Sequence, residues 1–123
     1  MFSEPDFPDI PLQVPGGTVE QGERPEECAK REFFEETGLV TAEPFIFLET
    51  IVTCSPPARR HCFLLNLPTQ VPQSWDHYEH HAHGQAPPIL FRFIWKELSD
   101  AYTALPPAWH CVLDRVRQFL IAN

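Results

Sequence analysis

Toward the end of the chain Leu90, Arg92, Ile94 and Lys96 alternate with Phe91, Phe93 and Trp95. One face is wholly aromatic, so the period of two predicts a strand over Ile89–Glu97. Two earlier runs, Phe45–Thr53 and Arg60–Leu67, are rich in β-branched and aromatic residues and read as strands joined by a Ser55-Pro56-Pro57 turn. A helical period replaces this pattern in two places. Trp109, Val112, Leu113, Val116, Phe119 and Leu120 form a stripe that predicts a last helix over Ala108–Ala122, opened by Pro106-Pro107. Cys28, Ala29 and Phe33 recur at the same spacing, with Phe34 off the stripe, inside a helix predicted for Pro25–Thr37. Pro25 suits the first turn, where its missing N–H costs nothing, and Gly38 suits the left-handed position past the end. Elsewhere the pattern fades. Met1–Pro11 reads as a loop anchored by Phe2 and Phe7, Ile10–Val14 as a short strand broken by Pro11, Thr18–Glu20 as a short extended piece, and Pro68–Pro88 as a long loop.

A chain of 123 residues that is 43% apolar makes one domain with a real core. Its formal net charge of −8 argues against nucleic-acid polymers and anionic membranes as partners. No apolar run is long enough to span a bilayer, and no basic-then-apolar leader opens the chain. Cys28, Cys54, Cys62 and Cys111 show neither C-x-x-C pairing nor zinc-ligand spacing, which fits reduced thiols in the cytoplasm.

Charge changes the picture most within the first helix. Glu32, Glu35 and Glu36 stand three and four apart and crowd one helical face. Unpartnered, each like-charged pair is destabilising by about a few tenths of a kcal/mol. Arg31 points about 100° away from Glu32 and is better placed to reach back to Glu23. Two readings fit the face: a solvated acidic surface, or a hard divalent cation bound through oxygen.

Gly17, Glu23, Arg31-Glu32-Phe33, Glu35-Glu36 and Gly38-Leu39, at these spacings, resemble the complete box of the Nudix hydrolase family. The resemblance implies a single Nudix domain over residues 1–123, with the box at 17–39. It implies an α+β fold of Nudix type, an α/β/α sandwich around a mixed sheet. It also implies hydrolysis of a diphosphate linkage in a nucleoside diphosphate derivative, supported by Mg²⁺ or Mn²⁺. By position, Glu32, Glu35 and Glu36 take the metal and catalytic roles, with Glu32 or Glu35 holding or deprotonating the attacking water. Gly16 would offer a backbone carbonyl to the metal, while Gly17, Glu23, Arg31 and Gly38 are structural. A catalytically inactive, nucleotide-sensing module with the same shape is the alternative function.

Family members often draw a base or a further ligand from outside the box. Asp76 and Glu79 are the candidates here, with Glu49 behind them; a solvated carboxylate is the competing reading for each. Trp75 and Tyr78 are candidates for stacking on a base or for packing the loop, His77 for touching phosphate or metal-bound water, and Arg59, Arg60 and Arg92 for phosphate contact. The histidines of residues 75–83 also raise a transition-metal site, but a Gly/Pro-flanked loop gives it no scaffold. Only residues 1–15 precede Gly16, fewer than the strands the family places there. Met1 is therefore expected not to be the natural domain start and the first strand or two to be missing, with two compensations open: a second copy covering the gap as a homodimer, or a marginally stable form prone to aggregate. Alternatively, Phe2–Val14 folds back into that place.

Overall fold

The computed structural model describes residues 1–54, 57–68, 70–79 and 87–122. In chain order the elements are β1 (Phe2–Ser3), α1 (Pro25–Thr37), β2 (Phe45–Cys54), β3 (Pro57–Leu65), β4 (Ser74–Glu79), β5 (Ile89–Ile94), α2 (Leu98–Ala104), a 3₁₀ turn (Pro107–Trp109) and α3 (His110–Ala122). They fall into two compact units, residues 1–42 with 67–95, and residues 43–66 with 96–122.

In the first unit, β5 lies between β1 and β4, antiparallel to both. Part of the aromatic face predicted for Ile89–Glu97 makes the core: Phe91 and Phe93 are buried with Phe2, and Trp75 and Ile89 pack against them, whereas the strand ends at Ile94 and Trp95 is half-exposed. The start of the chain folds back on the sheet. Phe2 pairs with Phe93, bridges to Gln13 and stacks on Phe91 at 4.1 Å between ring centroids. Helix α1 occupies the residues predicted for it. The Arg24 N–H donates to the Glu27 carboxylate at its start, and Gly38 at φ 74° ends it by donating its N–H to Phe34 O. Cys28 is buried and Phe34 half-exposed, as the stripe requires.

In the second unit β2 and β3 form a two-stranded antiparallel sheet, paired as far as Cys54↔Pro57. Residues 55 and 56 of the predicted turn lie outside the described residues. The register skips Leu48, and this bulge lets Leu48 join Ile51, Cys62, Val112 and Trp109 in the core under α3. Leu120, predicted on the buried stripe of α3, is instead 58% exposed.

The α+β class is what the structure shows, but every pairing among the described residues is antiparallel. A parallel neighbour needs a crossover, and the one across α1 links β1 to β2, which lie in different sheets. Neither Ile10–Val14 nor Thr18–Glu20 forms a strand. Pro11 removes a ladder donor within the first, which keeps a single bridge from Gln13 to Phe2. The predicted loop Pro68–Pro88 contains β4, and a short helix, α2, lies between the predicted last strand and last helix. Among the described residues no helix is long and apolar enough to cross a membrane.

Candidate metal and catalytic site

Helix α1 presents Glu32 and Glu36 one turn apart, and β4 brings Glu79 to meet them. One carboxylate oxygen from each lies within 4.8 Å of the others. Glu36 is 3% exposed, so its charge has lost most of its water. Burial pushes its carboxyl up to about 8; the Gly16 N–H, 3.0 Å from Oε1, opposes this, and the charges of Glu79, Glu32 and Glu35 add to it. Three carboxylate oxygens, one of them from a carboxyl that resists ionising alone, are the chemistry a hard divalent cation relieves.

The glycine turn is fitted to this cluster. A Cβ on Gly17 would collide with the Glu32 carboxylate, so glycine permits the close approach of loop and helix. Cys28 Sγ donates to Gly17 O, and Arg31 Nη2 donates to Thr18 O at 3.1 Å. Arg31 also grips Glu23 with two bonds, Nε to Oε2 at 2.8 Å and Nη2 to Oε1 at 3.0 Å. That guanidinium holds the Glu23 carboxyl down to about 2, helped by the Glu20 N–H. The expected loop-to-helix pair is present, and Arg31 does more. Its Nη1 reaches Glu32 at 2.8 Å and Glu35 at 3.2 Å. The Arg31 side chain is long and forked enough to bend back to its neighbours, whatever the direction of its Cα–Cβ bond.

A family model for the NUDIX domain matches residues 3–86. The chain belongs to the Nudix family. No curated protein and no solved structure matches it. The Nudix box thus contributes Glu32 and Glu36 to the cluster, and β4, beyond the box, contributes Glu79. Glu35, the third carboxylate expected to hold the metal, is not in the cluster; it is half-exposed on Arg31. Gly16 meets the site through its N–H on Glu36.

The other candidates scatter. Asp76 is held by Arg92 through two bonds of 2.9 and 3.1 Å on the exposed face of β4 and β5. Glu49 pairs with Arg115 at 3.5 Å in the second unit. Arg59 and Arg60 are exposed on β3, in the same unit. Trp75 stacks on Phe93 at 5.0 Å and donates its N–H to Thr37 O, and His77 lies against Glu35 O, so both serve α1 and the sheet. Tyr78 is exposed. Residues 80–86, which carry the other histidines of the suggested metal site, lie outside the described residues. From the sequence alone Glu79 is one carboxylate among several. The usable signal was its place on one strand face with Trp75 and His77, which requires knowing that β4 exists.

Proposed function

We propose that this chain is a metal-dependent pyrophosphohydrolase that cleaves the diphosphate bridge of a nucleoside diphosphate derivative, with residues 1–123 serving as one Nudix domain. The observation that carries this reading is the convergence of Glu32, Glu36 and Glu79 within 4.8 Å. These three would hold Mg²⁺ or Mn²⁺, and the Gly16 carbonyl is a further candidate donor. When bound, such an ion neutralises phosphate charge, orients the diphosphate and lowers the pKa of water. A chain of net charge −8 needs that neutralisation to accept an anionic substrate.

The protein's own groups supply the rest. The Gly16 N–H fixes one oxygen of Glu36. Arg31 braces Glu32 from the side. Glu35, half-exposed beside the cluster, is the group proposed to hold the attacking water and take its proton. Four free thiols support a reducing, cytoplasmic setting.

The test is product release from a panel of nucleoside diphosphate derivatives, with Mg²⁺ or with excess chelator. Hydrolysis of at least one substrate, abolished by the chelator, is expected. Nucleotide binding without turnover on the whole panel would instead indicate the sensing module.

A further inference from the structure

We propose that Trp75 and His77 are positioning residues that set the register of β4 against the end of α1, and through it the place of the Glu79 carboxylate. The inference rests on the metal-site reading above. Along β4 the side chains of Ser74, Asp76 and Tyr78 are exposed, while Trp75, His77 and Glu79 form the more covered face. The first two bond to α1. Trp75 Nε1–H donates to Thr37 O at 3.0 Å, and His77 Nε2 meets Glu35 O at 3.1 Å. A carbonyl only accepts, so Nε2 carries the proton. Both acceptors belong to the last turn of α1, where carbonyls lack an amide partner within the helix.

One such bond would let the strand pivot on the helix. Two, placed two residues apart on each element, also fix how far it slides. The next side chain on the same face is Glu79, which lands beside Glu32 and Glu36. A slip of one residue would turn it to the opposite face. The surroundings are shaped for both donors. The indole of Trp75 is stacked on Phe93 with 12° between planes, which fixes the direction of its N–H. A Cβ on Gly38 would come within 2.7 Å of His77 Nδ1, so glycine there both ends the helix at positive φ and admits the imidazole.

The experiment is Mn²⁺ binding by isothermal titration calorimetry, with melting curves on the same samples. His77→Leu and Trp75→Phe each remove one donor, and both should weaken Mn²⁺ binding about tenfold, as loss of groups that orient metal ligands commonly does. His77→Gln keeps an N–H donor and should bind nearly as wild type does. In a Glu79→Gln background, His77→Leu should have no further effect, which a general loss of structure would not reproduce. Trp75→Phe retains the ring stack, so it serves if His77→Leu fails to fold. Unchanged affinity in both donor-less variants overturns the inference. So does a His77→Leu loss that is equally large in the Glu79→Gln background. Failure of the underlying metal-site reading has a different pattern: wild type and Glu32→Gln would bind Mn²⁺ equally weakly, and the inference would fall with it.

Discussion

Arg31 is within ion-pair distance of four carboxylates, those of Glu20, Glu23, Glu32 and Glu35. Its pairing with Glu23 puts the folded pKa of that carboxyl, about 2, below its ordinary value of 4.5. Glu23 therefore adds stability that is fully present above pH 4.5 and is lost as the pH falls toward 2. Arg31→Ala should lower the melting temperature near neutral pH by several degrees and flatten the pH dependence in that acid window. An unchanged melting temperature would mean the pair is decorative. Glu36 behaves oppositely. Its folded pKa is raised to about 8, so its contribution is full below 4.5 and is lost as pH rises through 8. A cation held there as proposed would compete with the proton for this carboxylate, so Mg²⁺ should raise the melting temperature more at about pH 8 than at about pH 6. Gly17→Ala isolates one contact: the new methyl displaces the end of the Glu32 side chain. Metal affinity should drop about tenfold or more with little change in stability. Equal Mn²⁺ affinity in the variant would contradict that account.

At the scale of elements, α1 was legible because several independent signals agree on it: Pro25, the apolar stripe and Gly38. Its bounds match the structure. The β2–β3 pair and β5 were legible from their β-branched and aromatic content. β4 was not, because neither face of Ser-Trp-Asp-His-Tyr-Glu is consistently apolar and the strand has no Val or Ile. What orders it is β5 on one edge and α1 on its face, neither visible from its own residues. Helix α2 has seven residues, too few for a period to emerge. Of the three α1 carboxylates named from the sequence, Glu32 and Glu36 stand in the cluster and Glu35 does not, and Glu79 could not be separated from Asp76 without the strand. Phe93, 2% exposed between Phe2 and Trp75, ties β1, β4 and β5 together. Phe93→Ala should cost about 3–5 kcal/mol in urea unfolding. A loss below about 1 kcal/mol would show that the aromatic cluster contributes little.

The whole chain carries a formal net charge of −8 and the proposed site is itself acidic, so an anionic diphosphate is expected to need cations in order to bind. Its family match covers residues 3–86, which includes every residue of the cluster. The central claim is that Glu32, Glu36 and Glu79 act together to hold those cations for hydrolysis. The most direct measurement is the Mg²⁺ dependence of cleavage of the best substrate by wild type and by Glu36→Gln and Glu79→Gln. The account predicts no turnover in excess chelator, a Mg²⁺-dependent rate in wild type, and rates lower by orders of magnitude in both variants at matched Mg²⁺. Wild-type turnover in excess chelator, or full activity in both variants, would contradict it.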